Sequence, residues 1–179
     1  MALSSTVFVF EIDLADSDRG VYESLSLRAA RHPSESDEYL VARVLAYCLE
    51  YRDGIAFSRG GLSDTDDPPI AISDLTGTMR AWVDIGTPSA DRLHRASKAA
   101  PRVAVYLHKE APQWLASLSG AKIHRAEALE LYALDRALIE QLVASLDRRM
   151  SFAVSVSGAE IYVSIGDRTI HGEVRRIRP

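Results

Sequence analysis

The segment "MRAWVDIGTPSADRLHRASKAAPRVAVYLH", residues 79–108, decides how the chain folds. Met79, Ala81, Val83 and Ile85 alternate with Arg80, Trp82 and Asp84, which is the period of a strand. Thr87 is expected as the N-cap and Pro88 at the first position of the helix that follows. Leu93, Ala96, Ser97 and Ala100 give that helix a small-residue inner face. "RVAVYLH" (102–108) is then a short apolar strand. Strand, helix and strand within about thirty residues is the pattern of a right-handed parallel crossover. The fold class expected from it is α/β, a mixed central sheet flanked by helices.

Working outward, "TVFVFEIDLA" (6–15) is rich in aromatic and β-branched residues and reads as a strand, and "VYESLSLRAARH" (21–32) as its hairpin partner. "PSESDEYLVARVLAYCLEYRDG" (33–54) opens with Ser34 as the expected N-cap and closes at Gly54. Its stripe of Leu40, Val41, Val44, Leu45 and Cys48 marks the clearest helix in the chain. Residues 59–73, "RGGLSDTDDPPIAIS", combine glycine, proline and acids and are expected to be a loop. Further on, "APQWLASL" reads as a short helix and "ALELYAL" as a strand. Asp135 is placed to cap a helix carrying Leu138, Leu142, Val143 and Leu146. The end of the chain alternates strictly and turns at Ser157-Gly158 and Gly166-Asp167, giving a strand-rich C-terminal meander added to the sheet. No repeat and no linker divides residues 1–179, so one domain is expected.

Composition narrows the function. At 179 residues with 47% hydrophobic content, the chain can bury one sizeable core. A net charge of −4 argues against broad, sequence-blind binding to nucleic acid or to an anionic membrane, while leaving room for a local basic patch. Cys48 is the single cysteine and has no partner for an internal disulfide, which points to a reducing, cytoplasmic setting. The N-terminal apolar run has no basic start and is broken by Glu11 and Asp13, so it reads as a strand and not as a signal peptide. No stretch reaches the roughly 20 apolar residues of a membrane helix.

Several chemistries lack their motifs. The chain has no Gly-x-Gly-x-x-Gly, no phosphate-cradling loop ending in Gly-Lys-Ser/Thr and no Gly-x-Ser-x-Gly elbow. The histidines are scattered, and none stands at zinc-ligand spacing from Cys48 or from another histidine. The acids Asp64, Asp66 and Asp67 lack the glycine and terminal glutamate of a calcium loop and read as a solvated loop.

Three carboxylates remain. Glu38 shares the stripe of Val41 and Leu45, so it either faces the core or complements the helix dipole at the rim. Asp84 ends a strand that enters a crossover, and that edge is where open α/β sheets bind ligands. Asp74 stands at the entry to the preceding hairpin strand, where turn formation explains an Asp equally well. A helix acid followed by two Asp residues is also the order of a divalent-metal site, since magnesium takes oxygen ligands and keeps several waters.

The blocks "ARHPSESDE" (30–38), "FSRGGL" (57–62), "DLTG" (74–77), "AWVDIGTPSADRLHRASKA" (81–99) and "RRMSFAVSVSGAEIYVS" (148–164) resemble the YaeQ family nearly end to end. That resemblance implies a variant of the restriction-endonuclease-like, PD-(D/E)xK nuclease fold. Carried over position by position, it makes Glu38, Asp74 and Asp84 the magnesium ligands. The motif lysine, two residues after Asp84, is replaced here by Gly86. The resemblance also puts Arg95 where members often carry a lysine on the next helix. Arg92, Arg95 and Lys98 recur every three residues and form either a phosphate-binding side or a solvated basic face. Arginine binds phosphate well but shuttles protons poorly, which makes Lys98 the substitute. Arg31 and His32, just before the Glu38 helix, are second-rank substrate-binding candidates. Two functions follow: a magnesium-dependent hydrolase of nucleic-acid phosphodiesters with a degenerate site, or a non-catalytic relative that binds or regulates. Unrelated chemistry on the same scaffold is a third.

Overall fold

The computed structural model describes residues 4–59 and 66–179. Part of the acidic loop, including Asp64, and part of the "FSRGGL" block lie outside the described residues. The elements are β1 (Thr6–Asp16), β2 (Val21–Arg31), α1 (Asp37–Glu50), β3 (Ile55–Phe57), β4 (Ile70–Ser73) and β5 (Met79–Ile85). They continue with α2 (Ala90–Ala99), β6 (Arg102–Leu107), α3 (Pro112–Ser119), β7 (Glu130–Leu134), α4 (Arg136–Ala144), β8 (Arg149–Ser157), β9 (Glu160–Ile165) and β10 (Arg168–Ile177).

The ten strands among the described residues join one mixed sheet in the order β2-β1-β8-β9-β10-β7-β6-β5-β4-β3. The β5–α2–β6 crossover is parallel as its pattern implies, with Ile85 opposite Tyr106. Two expectations need correcting. The C-terminal meander is no peripheral addition: β8 pairs parallel with β1, and β10 pairs with β9 and then with β7, so the meander fills the middle of the sheet. Within the stretch expected to be loop, Ile70–Ser73 forms β4, because Ile70 and Ile72 pair with Val83 and Ala81 of β5.

Side-chain alternation assigns two cores to the two faces. Val83 and Ile85 of β5 and Ala104 and Tyr106 of β6 join the cluster under α1 and α4. Trp82, Val103, Val105 and Leu107 join the cluster under α2 and α3. Covered on both sides, β5 is buried from Ala81 onward, where alternation alone suggests one exposed face. In β1, by contrast, Phe8, Phe10, Ile12 and Leu14 are buried and the residues between them mostly are not. Gly172 lets α4 approach β10, since a Cβ there would lie 2.7 Å from that of Leu138.

Helix caps differ from expectation by two residues in two places. Ser36, not Ser34, caps α1 by accepting from the Tyr39 N–H at 3.1 Å, and the helix ends at Glu50. Ser89, not Thr87, caps α2 by accepting from the Arg92 N–H at 3.2 Å. Asp135 caps α4 as expected. No helix among the described residues is long and apolar enough to cross a membrane.

Candidate functional site

The turn before α1 and the C-terminal end of β5 converge on a cleft of about 240 Å³. Glu35 enters it from the turn, where its N–H donates to the His32 carbonyl at 2.9 Å. Its side chain is buried, with Oε2 3.2 Å from Nη2 of Arg43. Arg43 is buried too, donates to the Ala30 carbonyl at 2.9 Å and lies over the Phe57 ring. From the sheet comes Asp84, only 3% exposed. Its Oδ2 accepts from Trp82 Nε1 at 3.0 Å and from Arg92 Nε at 2.7 Å. Arg92 also donates to the Asp67 carbonyl at 3.0 Å, and its guanidinium lies 5.2 Å above the Trp82 ring. Tyr39, Ser58, Asp67 and Thr87 are among the other residues that line the cleft.

Unmet hydrogen bonding concentrates at this end of α1. Among the described residues, the buried side-chain atoms without a partner are Arg31 Nε, Glu35 Oε1, Arg43 Nε and His108 Nδ1. His108 stands edge-on to Tyr39, with ring centroids 6.3 Å apart, and Arg31 pairs with Asp37 in the first turn of the helix. Burial pushes the Glu35 carboxyl above its ordinary range, against the pull of Arg43. Burial likewise raises the Tyr39 hydroxyl, aided by the Asp84 charge. The His108 imidazole is held below its usual value by burial and then by Lys109, against the Glu38 carboxylate. Orphaned polar atoms in a water-excluding place are costly, and such costs concentrate where a ligand completes the bonding.

The expected metal trio is not brought together. Asp84 and Arg92 are in the cleft. Glu38 is not: it sits half-exposed in the first turn of α1, and its carboxylate is held low chiefly by hydrogen bonding to its own backbone N–H, against a smaller desolvation effect. Asp74 is at the other end of β5, and Met79 to Asp84 alone spans about 16 Å of strand. There its Oδ1 accepts from Thr76 N and Oγ1 and from Thr78 N, and its Oδ2 pairs with Arg80 at 2.7 Å. Among the described residues, no cluster of three or more His, Cys, Asp or Glu side chains has metal-holding geometry. Arg95 is exposed, 3.5 Å from Asp66, and Lys98 is exposed beyond it. Of the second-rank pair, Arg31 binds Asp37 and His32 Nδ1 lies 2.6 Å from Ser34 Oγ; neither lines the cleft.

A family model described as YaeQ protein matches residues 1–174. The chain belongs to the YaeQ family. It is 30% identical over 166 residues to the uncharacterized protein YaeQ of Escherichia coli (strain K12), covering 92% of this chain and 91% of that one. It is 28% identical over 165 residues to the protein of the same description from Salmonella typhi, at 92% and 91% coverage. The crystal structure of YaeQ protein from Pseudomonas syringae is similar to it with a TM-score of 0.86, 30% identity and coverage of 98% of this chain and 97% of that one. The YaeQ structure from Xanthomonas axonopodis pv. citri gives 0.86, 31%, 98% and 99%.

In this YaeQ chain the residues that sequence reasoning passed over are Glu35, Tyr39 and Arg43. They stand four apart, on one side of α1 and its entry turn. A signal for them existed: Arg43 interrupts the apolar run Leu40–Tyr47, and a buried guanidinium requires an acid nearby. Expecting the cap at Ser34 put Glu38 too deep and made Glu35 the first residue of the helix instead of part of its entry turn. Gly86 also has a local reason. Its φ is +82°, which L side chains rarely adopt, and a Cβ there would lie 3.7 Å from His108 Nε2.

Proposed function

We propose that the cleft is a magnesium-dependent site for hydrolysing phosphodiesters of nucleic acid, on a variant of the restriction-endonuclease-like, PD-(D/E)xK fold. The observation that carries this reading is the Glu35 Oε1 atom, buried and without a partner among the described residues, in the same cleft as Asp84. Trp82 and Arg92 both bond Oδ2 of Asp84. Magnesium takes hard oxygen donors and is held by one or two carboxylates with water and phosphate completing its shell, so Glu35 and Asp84 fit it in donor chemistry. When bound, the ion supplies charge neutralisation at the phosphoryl group and a more acidic water.

The chain's own residues do the rest. Arg43 fixes one oxygen of Glu35, which presents its other oxygen, and Trp82 fixes Oδ2 of Asp84. The location at the C-terminal end of the parallel pair β5–β6 agrees with where α/β sheets bind ligands. Arg95 and Lys98, exposed on α2, would meet the phosphates that flank the scissile one, the local basic patch of an otherwise acidic chain. Buried, unpaired Cys48 agrees with a reducing, cytoplasmic setting.

A second reading, a non-catalytic binding module, is favoured by Gly86, whose φ disfavours a lysine there, and by Arg92 already seated on Asp84. Calorimetric titration with magnesium, on the wild type, Glu35→Gln and Asp84→Asn, followed by incubation with single- and double-stranded DNA and RNA, separates them. Metal binding lost in both variants, with cleavage abolished by chelator, is the expected result. Metal binding without cleavage of any nucleic acid supports the module. Metal binding that survives both substitutions overturns the site.

A further inference from the structure

We infer that β2 joins two copies of this chain: the strand pairs antiparallel with itself across a two-fold axis at Ser26, and two ten-stranded sheets become one continuous sheet.

The two edges of the sheet are unlike. β3 closes one edge with three residues, and β2 closes the other with eleven. All eleven residues of β2 pair with β1 in unbroken register, from Val21 opposite Asp16 to Arg31 opposite Thr6. The Val9 N–H donates to the Arg148 carbonyl at 2.8 Å, so the odd residues of β1 turn their backbone groups away from β2. Their partners, the even residues of β2, therefore turn theirs to the free edge. The Ala30 carbonyl accepts from Arg43. The backbone groups of Tyr22, Ser24, Ser26 and Arg28 have no partner among the described residues. Long edges are ordinarily blunted by proline, a bulge or lysine, and β2 has none of these. With the axis at Ser26, Tyr22 pairs with the partner's Ala30, Ser24 with the partner's Arg28, and Ser26 with itself. Every outward backbone group is then used.

The outer face of the β1–β2 hairpin complements itself about the same axis, as a two-fold interface must. Tyr22 is 67% exposed, and its counterpart Ala30 has Val7, 41% exposed, as its neighbour on β1. The Tyr22 ring of one copy thus covers Ala30 and Val7 of the other. Arg28 makes no ion pair among the described residues. Its counterpart Ser24 donates its hydroxyl to Asp13 Oδ1 at 2.8 Å, and that carboxylate has no cation beside it among the described residues. Each Arg28 therefore meets the Asp13 of the other copy. On the inner face Leu25 pairs with Leu27, and no like charges stand opposite each other. Moving the axis to Leu25 or Leu27 takes Tyr22 away from Ala30 and Val7.

Sedimentation equilibrium of the full chain, from micromolar to millimolar concentration, is expected to show a reversible dimer of the 19.7 kDa protomer. Arg28→Glu puts a glutamate beside Asp13 twice in each dimer and should weaken association about tenfold. Asp13→Arg should weaken it similarly, and the double exchange should recover most of the loss. Ser26→Cys should give a disulfide-linked dimer under oxidised glutathione, whereas Ser155→Cys, on the exposed face of β8, should not; Cys48 is buried and does not compete. A monomer at every concentration overturns the inference and leaves the edge to a strand of another protein. A dimer indifferent to both single exchanges, a double exchange that recovers nothing, or cross-linking at Ser155 as readily as at Ser26 overturns it as well.

Discussion

The two ends of α1 carry clefts made from the same ingredients, and they differ in what is left unpaired. At the start of the helix, Glu35, Arg43, Asp84 and Arg92 leave a carboxylate oxygen and a guanidinium nitrogen without partners among the described residues. At its end, a larger cleft of about 470 Å³ is floored by Glu50, Arg102, Tyr106 and Tyr132. There Arg102 forms a two-toothed pair with Glu50 at 2.6 and 3.0 Å and a second with Glu130 at 2.5 and 3.3 Å. Tyr106 donates to Glu50 at 2.6 Å, Tyr132 donates to Glu130 at 2.7 Å, and the two rings stack 4.9 Å apart. None of these residues carries a buried side-chain atom without a partner among the described residues. Burial disfavours the Arg102 charge, yet the two carboxylates outweigh it and hold its pKa above the ordinary arginine value. Volume would rank the second cleft as the site. Hydrogen-bond accounting ranks the first, because a completed network has nothing to offer a ligand.

The most forceful way to break that contrast is to open the completed network. Arg102→Ala leaves Glu50, 3% exposed, with a buried charge and no counter-ion, and should cost on the order of 3 kcal/mol in urea unfolding. Magnesium and phosphate titrations of the folded variant should match the wild type. Altered ligand binding would mean that the two ends of α1 are not independent. Tyr106→Phe removes one charge-assisted hydrogen bond and leaves Arg102 on the same carboxylate, so a loss of about 2 kcal/mol is expected by the same measurement.

Glu35→Gln sharpens the contrast from the other side. Burial raises the Glu35 pKa against the pull of Arg43, but a neutral isostere leaves that buried guanidinium without a counter-ion, so a loss on the order of 3 kcal/mol at pH 7 is expected. The sign follows from linkage. A carboxyl whose folded pKa lies above its unfolded value of 4.5 binds a proton more readily in the native state, so its contribution to stability falls as pH rises through that interval. Glu35→Gln should therefore lose less stability than the wild type as pH rises above 4.5. Its magnesium binding should vanish. A large stability loss with metal binding intact would make Glu35 a structural residue like Glu50.

Much of this was legible in sequence, for local reasons. Phe8, Phe10, Ile12 and Leu14 alternate because one face of β1 is covered, and the β5–α2–β6 crossover announces itself by a switch from period two to helical spacing. What local pattern does not carry is pairing between distant segments. β4 occupies a Pro-rich, acidic stretch and is a strand because β5 lies beside it. The C-terminal hairpins read as hairpins, but their central place depends on β1 and β7, far away in the chain. The site was half legible on the same grounds. Asp84 follows from strand polarity, whereas Glu35 in place of Glu38 depends on a cap two residues further along than expected.

Asp74 supplies the smallest expected effect and the cleanest separation between an acid that organises the chain and one that serves a ligand. Its carboxylate closes the β4–β5 turn, and a hydrogen bond from the Thr76 hydroxyl, opposed by desolvation but joined by Arg80 and Thr78, pulls its pKa down to about 2. A folded pKa below the unfolded value of 3.8 stabilises the native state fully above 3.8, and that contribution is lost as pH falls towards 2. Asp74→Ala should therefore be less stable than the wild type at neutral pH by a small margin, because the group is exposed, and the two unfolding curves should merge near pH 2. Its magnesium and phosphate binding should be unchanged, since the turn and the cleft lie at opposite ends of β5. If Asp74→Ala instead loses metal binding while Glu35→Gln keeps it, the ligand acids are the ones the family pattern named, and the cleft at the start of α1 is not the site.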